Sequence, residues 1–82
     1  MLKPIYVKIE EIYVPADRRK EIDLQKIEQV AEEIMAETEH QPIQVRKGKD
    51  RYVLVTGVNR FEAQKALGEK KIPVLVVGTK LF

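Results

Sequence analysis

The sequence contains no cysteine and no serine, and His40 is its single histidine among 82 residues. Without cysteine the chain forms no disulfide, no thiolate metal site and no thiol nucleophile, which is typical of proteins from a reducing intracellular compartment. Without serine and with one histidine, it holds neither a Ser-His-Asp triad nor a metal site built from several histidines. Cysteine, serine-triad and polyhistidine-metal chemistry are therefore excluded.

Long apolar stretches are also missing. The longest runs from Ile72 to Val77 and is far shorter than the roughly 20 residues that a membrane-spanning helix needs. The first residues lack the apolar core of a secretory signal. We therefore expect a cytoplasmic protein with no membrane partner. Its length and its hydrophobic share of 44% predict one compact domain over residues 1–82. So small a core favours support from a partner or from a second copy in a homodimer.

The net charge of +2 hides a strong division along the chain. Residues 1–40 carry six basic and ten acidic side chains, whereas residues 41–82 carry nine basic and three acidic ones. The first half is therefore acidic and the second half basic. By itself this division does not identify a partner.

Hydrophobic periodicity predicts an α+β domain with a small mixed sheet and two main helices. The predicted order is strand, helix, two strands, helix, strand. The patterns place these elements at Ile5–Val14, Leu24–Ile34 after an Asp23 N-cap, Ile43–Arg46, Tyr52–Val55, Val58–Leu67 and Ile72–Val77. A polar loop is predicted at Pro15–Glu21, a hairpin turn at Lys47–Asp50, and the end of the first helix near Glu37 to His40.

The most informative junction is the one where Thr56-Gly57 leads directly into the second helix. The first N–H groups of a helix are unpaired and carry partial positive charge, so they favour anions. Gly57 lets a ligand approach the backbone, and the guanidinium of Arg60 can hold a phosphate through two hydrogen bonds. On spacing alone, a tight turn followed by a solvated arginine is the favoured interpretation of the same residues.

Other charged residues allow several interpretations. Arg18-Arg19-Lys20 and Lys26 either close over an anion or decorate the surface. Nucleic-acid binding is an alternative function, in which the predicted hairpin would contact a phosphate backbone through Arg46, Lys47, Lys49 and Arg51. The glutamates of the first helix are typical of a solvated face, although clustered carboxylates also hold divalent cations.

Taken together in order and spacing, several short motifs resemble the N-terminal domain of the ParB partition proteins, within the superfamily that also contains sulfiredoxin. The similar segments are Val14-Pro15, Arg19, Asp23, Gln41–Arg46, Tyr52–Val55, Gly57-x-x-Arg60-x-x-Ala63, Ala66-Leu67-Gly68 and Ile72-Pro73-Val74. The resemblance runs from about Ile9 to Val77. It implies an anion-binding fold that is used for nucleotides.

The resemblance to ParB implies a binding site for CTP. The ParB box that holds the triphosphate corresponds to residues 57–60, where Gly57 and Arg60 are retained and Asn59 replaces an arginine. A loop arginine of ParB corresponds to Arg19. The DNA-binding and dimerisation domains that follow in ParB have no counterpart among these 82 residues.

The resemblance to sulfiredoxin is partly negative. Its catalytic cysteine and histidine correspond to Val58 and Asn59, so the thiol chemistry is absent. Its phosphate-contacting lysine corresponds to Lys26, which is retained, while Glu33 replaces a hydroxyl residue on the same face. The resemblance therefore implies CTP or ATP with Mg²⁺ as the ligand, held by Gly57, Asn59, Arg60, Arg19 and Lys26.

Catalysis is left open by the sequence. Other members of this superfamily act as nucleases or as small-molecule kinases, and such activities need an acidic side chain. Glu10, Glu11 and Asp17 are the nearest candidates for a general base. A metal-dependent phosphotransferase or nuclease is thus an alternative to a nucleotide-binding module, and no catalytic residue is assigned.

Overall fold

The computed structural model describes residues 3–37 and 41–78. Its elements are β1 (Ile5–Lys8), β2 (Ile12–Tyr13), α1 (Ala16–Arg19), α2 (Leu24–Ala36), β3 (Ile43–Lys47), β4 (Tyr52–Thr56), α3 (Val58–Ala66) and β5 (Lys71–Val76). The five strands form one sheet in the order β1-β5-β3-β4-β2. The predicted α+β class, with a small mixed sheet and two main helices, is confirmed.

The sheet mixes both kinds of strand pairing. β1 with β5 and β3 with β4 are antiparallel, whereas β3 with β5 and β2 with β4 are parallel. The predicted β3–β4 hairpin is confirmed: Gly48 N donates to the carbonyl of Arg51 at 2.8 Å, and Asp50 takes a positive φ of 65° in the turn. Aspartate tolerates this backbone region better than most residues do, so it suits the turn.

The hydrophobic core lies between the sheet and α3. Its buried members come from all five strands, from the segment after β2 and from α3, and they are Val7, Ile12, Val14, Ile43, Val45, Leu54, Val58, Phe61, Ile72 and Val74. α2 packs against α3. The helical side of the sheet therefore has α3 next to the strands and α2 on its outside.

The first predicted strand is interrupted, which corrects the sequence interpretation. A 3₁₀ turn at Ile9–Glu11 separates β1 from β2, and Ile9 N donates to the carbonyl of Lys70 at 2.9 Å. β1 and β2 occupy opposite edges of the sheet. The apolar alternation continues across this turn, so it cannot show that the chain crosses from one edge to the other.

The predicted loop at Pro15–Glu21 contains the short helix α1, which is a second correction. Pro15 is its N-cap, with φ of −63°, and proline favours the start of a helix because its φ is already fixed. Asp17 lies in its first turn, and Arg18 and Arg19 lie in its last. This order of charges complements the helix dipole.

The start of α2 agrees with the sequence, and its apolar residues differ in burial. Asp23 accepts hydrogen bonds from Gln25 N at 2.9 Å and from Lys26 N at 3.4 Å, which confirms the N-cap. The helix ends at Ala36; of the predicted end near Glu37 to His40, residues 38–40 lie outside the described residues. Leu24 is 75% exposed, because the helix turns Ile34 rather than Leu24 towards its neighbours.

The passage from β4 into α3 depends on Gly57. This residue is the N-cap of α3 and has φ of 102°, in the left-handed region. A Cβ at this position would lie 2.9 Å from Cγ2 of Ile43, a buried core residue. Gly68, which follows α3, also has a positive φ of 84°, but a Cβ there would meet no atom within 4 Å. Gly68 directly follows the C-cap residue Leu67 and closes α3 in the left-handed conformation that glycine favours.

We predict that Gly57→Ala lowers the free energy of unfolding by about 2–4 kcal/mol, because it adds a core overlap to left-handed strain. Gly68→Ala provides a matched control with the strain alone and should cost about 1 kcal/mol. Gly78→Ala, where a Cβ meets nothing and φ is not positive, should change stability by less than about 0.5 kcal/mol. Urea denaturation measures all three, and equal losses at positions 57 and 68 would contradict this assignment.

Candidate functional site

Asn59 fastens the first turn of α3 to the segment that enters α2. Its Oδ1 accepts a hydrogen bond from the backbone N–H of Asp23 at 2.8 Å. Its Nδ2 donates to the backbone carbonyl of Glu21 at 3.2 Å. Both ends of the amide are therefore used, and a residue with only a donor or only an acceptor could not make both contacts.

Arg60, the next residue, fastens the same turn to the other end of α2. Its Nε donates to the backbone carbonyl of Gln41 at 2.8 Å, and its Nη2 contacts Oε1 of Glu37, the residue that ends α2. The side chains of Arg60 and Glu37 are only 15% and 21% exposed. Two neighbouring residues of α3 thus hold opposite ends of α2.

The two long helices differ at their N-termini. The first turn of α2 is capped by the carboxylate of Asp23, whereas Gly57 offers no side chain to cap α3. The first backbone N–H groups of α3 therefore have no side-chain acceptor from the cap residue, and no earlier turn of the helix can accept them. Binding of an anion is one way in which such N–H groups are satisfied.

The predicted phosphate-binding residues come from three helices and from Gly57, the N-cap of α3. Gly57, Asn59 and Arg60 lie in one turn, but Arg19 and Lys26 make no hydrogen bond or ion pair with them in the described part of the chain. Arg19 Nε donates to the carbonyl of Val14 at 3.1 Å. Lys26 is exposed in the first turn of α2, three residues after the Asp23 that binds Asn59.

Arg19 instead lines a cavity of about 460 Å³ beside a different part of α3. Phe61, Glu62 and Lys65 contribute to the same cavity. On a helix wheel Phe61 and Lys65 lie about 100° or more from both Asn59 and Arg60, whereas Glu62 lies about 60° from Asn59. Arg19 therefore lies beside a part of α3 that only partly overlaps the side carrying Asn59 and Arg60.

Arg18, the neighbour of Arg19, lies elsewhere. It lines a surface groove of about 540 Å³ with Asp17, Arg46 and Thr56, the last residue of β4 before Gly57. Arg18 also pairs with Glu21 at 2.9 Å. The predicted basic loop is thus divided by α1, which directs its two arginines to different surfaces.

The three carboxylates considered as general bases are separated as well. Asp17 lies in the groove beside β4 that reaches Thr56. Glu10 lines the cavity that contains Arg19, and Glu11 lines a smaller one of about 280 Å³ beside the β3–β4 turn. Only Asp17 among the three therefore shares a groove with the end of β4.

The basic hairpin residues are divided between two surfaces. Arg46 lines the groove beside β4, whereas Lys47 and Arg51 line the cavity beside the turn. The guanidinium of Arg51 also stacks over the ring of Tyr13 at 3.9 Å from its centroid. Lys49 is exposed in the turn. DNA binding by these residues stays a prediction.

Residues 3–37 and 41–78 lack two further kinds of feature. In these segments no three histidine, aspartate or glutamate side chains are grouped closely enough to hold a metal ion. Nor does any helix in them combine the length and apolar composition needed to cross a bilayer.

Sequence reasoning missed Glu37 as a component of the site. It lies 23 residues before Arg60, so no local spacing rule relates them. As one of several glutamates near the end of α2, it had no distinguishing signal in the sequence.

Similarity to known proteins places the chain in a family. Residues 3–80 match the family model of the ParB N-terminal domain. This chain belongs to the ParB N-terminal domain family. A relative, the chromosome-partitioning protein ParB of Myxococcus xanthus, is 38% identical over 69 residues. The match covers 83% of this chain but only 23% of the relative. The resemblance to ParB is confirmed, and the chain spans about a quarter of that relative's length.

Solved structures show the same fold at lower identity. Sulfiredoxin from Arabidopsis thaliana superposes with a TM-score of 0.80 at 23% identity, covering 94% of this chain and 86% of the other. A mutant free serine kinase in complex with AMP superposes with a TM-score of 0.79 at 18% identity, covering 93% of this chain and 31% of the other. C-terminally truncated ParB from Caulobacter crescentus in complex with CTP-γ-S superposes with a TM-score of 0.77 at 24% identity, covering 95% of this chain and 46% of the other. The predicted sulfiredoxin-like fold is therefore confirmed.

We predict that Asn59→Ala lowers the free energy of unfolding by about 1–2 kcal/mol, because it removes two hydrogen bonds between α3 and the segment entering α2. Gln29→Ala is a suitable control: this exposed residue of α2 makes no such bonds and should change stability by less than about 0.5 kcal/mol. Thermal and urea denaturation measure both variants. Equal stability of the two variants would show that the Asn59 bonds do not hold the helices together.

Proposed function

We propose that this ParB N-terminal domain binds a nucleotide and that the first turn of α3 holds its phosphates. The observation that carries the proposal is the contrast between the two helices: α2 is capped by Asp23, while α3 starts at Gly57 with no side-chain cap. An anion at this point would gain hydrogen bonds from backbone N–H groups and a favourable interaction with the helix dipole.

Gly57 and Arg60 suit such a ligand for different reasons. The missing Cβ of Gly57 makes room for the core residue Ile43 rather than for a ligand, so Gly57 contributes through its left-handed backbone, which leads β4 directly into the uncapped first turn of α3. Nη1 of Arg60 makes no hydrogen bond within the described residues, although Nε and Nη2 are engaged. Because the guanidinium is already fixed, little side-chain entropy would be lost when Nη1 donates to a phosphate.

Glu37 limits the affinity of the proposed site for a phosphate. Its carboxylate partly offsets the charge of Arg60, so backbone N–H groups would supply much of the attraction. Lys26 would add a cation from the first turn of α2, near the Asp23–Asn59 contact. Arg19 would add a second cation through its Nη groups, since its Nε is bound to Val14.

The ligands of similar structures support a nucleotide in general. The Caulobacter crescentus ParB was solved with CTP-γ-S, and free serine kinase with AMP and with ADP. These ligands share a nucleoside and a phosphate chain but differ in base. CTP and ATP are therefore the first compounds to test.

Magnesium would enter as part of the nucleotide complex. No cluster of three acidic or histidine side chains suited to a metal occurs in residues 3–37 and 41–78. Mg²⁺ in nucleotide sites commonly keeps several waters and is held by phosphates with one or two carboxylates. The carboxylates of the described residues form no such cluster, so they fit Mg²⁺ that is held mainly by the nucleotide rather than by the protein alone.

Isothermal titration calorimetry with CTP, ATP and GTP in Mg²⁺ tests the proposal. We expect binding of at least one nucleotide, and Arg60→Ala should weaken it by about 1.5–3 kcal/mol, the value of a charge-assisted hydrogen bond. Lys49→Ala removes the same charge from the β3–β4 turn and should leave the affinity within about twofold, since an exposed distant charge contributes little.

The structural role of Arg60 requires a further control. Loss of its bonds to Glu37 and Gln41 also lowers stability, so each variant must be shown to be folded at the titration temperature by circular dichroism. Glu37→Gln keeps the arginine while removing the opposing charge, and it should bind the nucleotide more tightly. Undetectable binding of all three nucleotides to the folded parent protein at millimolar concentration would refute the proposal.

A second candidate function, phosphotransfer, is favoured by the position of Asp17. This carboxylate lies in the groove that reaches Thr56, directly before the proposed phosphate site. There it would accept the proton of an acceptor hydroxyl as that oxygen attacks the terminal phosphorus and the bond to the nucleoside diphosphate breaks.

We predict that, if this activity exists, Asp17→Asn lowers turnover by about 10²-fold or more while nucleotide affinity stays nearly constant. Glu11→Gln, which alters a carboxylate beside the hairpin turn, should leave turnover unchanged. Phosphorus NMR with Mg²⁺-ATP and a panel of small hydroxyl compounds measures the reaction. Nucleotide binding without any turnover would leave a binding module and exclude this second function for the compounds tested.

A further inference from the structure

A second surface, separate from the phosphate site, lies on the outward side of α2. Leu24 and Met35 are 75% and 73% exposed, the two largest values among the exposed large apolar residues of the described chain. Exposed single apolar residues are ordinary, but two at the ends of one helix are informative if they lie on the same side.

Helix geometry places them on the same side. Leu24 and Met35 are eleven residues apart, close to three complete turns, so they lie on one line about 16 Å in length. Ala31, which is half-buried, lies near this line and is small enough for another backbone to approach. α2 packs against α3 through a neighbouring side on which Ile34 is buried and Ile27 and Val30 are half-buried. We call Leu24, Ala31 and Met35 the α2 stripe.

One margin of the α2 stripe is acidic. Glu28 and Glu32 are both exposed and lie about 40° and 80° around the helix from Leu24. Lys26 lies about 200° from Leu24, on the far side of the helix. Neither glutamate forms an ion pair within the described residues. The stripe is therefore bordered by two unpaired carboxylates and by no cation of α2.

From this arrangement we propose that the α2 stripe binds an amphipathic helix of a partner protein whose apolar side is bordered by lysine or arginine. Two large apolar side chains of that helix would contact Leu24 and Met35, and its backbone would pass closest at Ala31. Its basic margin would face Glu28 and Glu32. Complementary charges of this kind set the orientation and the partner preference of packed helices.

A second copy of this chain fits the surface less well. Antiparallel packing would place Leu24 of one copy against Met35 of the other, but it would also bring the Glu28 and Glu32 pairs of both copies to the same interface. Like charges close together across an interface are destabilising. Charge complementarity therefore selects a basic partner over self-association.

Two synthetic helical peptides of about 15 residues test the proposal. They share leucines at positions i and i+11 but carry either lysines or glutamates along one margin. Titrated into ¹⁵N-labelled full-length chain, the lysine peptide should shift the amide signals of residues 24–36 and bind at least about ten-fold more tightly than the glutamate peptide. Raising the salt concentration should weaken the binding of the lysine peptide, because salt screens its attraction to Glu28 and Glu32.

Variants of the α2 stripe and of its acidic margin distinguish specific binding of the lysine peptide from the other possible results. Leu24→Gln with Met35→Gln should abolish the shifts, whereas Tyr6→Gln, which alters a 64% exposed residue on β1, should not. Glu28→Lys with Glu32→Lys should reverse the preference between the peptides. No shift with the lysine peptide, or equal affinity for both peptides, would overturn the proposal. A dimer of the free protein that Leu24→Gln with Met35→Gln dissociates in sedimentation experiments would also overturn it, and none of these results depends on nucleotide binding.

Discussion

The attachment of α3 to both ends of α2 is the constraint on which the rest of this domain depends. α3 packs on the sheet, while α2 packs on the outside of α3. Asn59 holds the entrance of α2 through Asp23 and Glu21, and Arg60 holds its end through Glu37. Asn59 and Arg60 lie two and three residues after Gly57, whose left-handed backbone directs β4 into α3. One short segment therefore fixes the position of the outer helix.

This constraint links stability to the proposed function. The chain belongs to the ParB N-terminal domain family, and the residues that fasten α2 are also those proposed to hold the nucleotide. Arg60 uses Nε and Nη2 within the fold, whereas its Nη1 makes no hydrogen bond within the described residues. A phosphate at the first turn of α3 would therefore add to a rigid, pre-organised surface. Glu37 both holds the arginine in place and reduces its net attraction for anions.

The sequence predicts the local features of the fold and misses the tertiary ones. Period-two patterns, Asp23 as an N-cap, Gly57 before a helix and Gly68 after it follow from short-range rules, and the structure confirms them. The 3₁₀ turn at Ile9–Glu11 depends on which sheet edge receives the next strand. The Arg60–Glu37 pair spans 23 residues, so no periodicity reports it. The separation of Arg18 from Arg19 likewise depends on one helical turn within a segment that reads as polar loop.

The central claim is that a nucleotide is held by the first turn of α3. Amide chemical shifts of the ¹⁵N-labelled protein, recorded during titration with CTP and with ATP in Mg²⁺, test it most directly because each N–H reports its own hydrogen bond. The account predicts that the largest changes occur at Gly57, Val58, Asn59 and Arg60 for at least one nucleotide. Changes concentrated on the hairpin residues Arg46 to Arg51, or their absence throughout the chain at millimolar nucleotide, would contradict it.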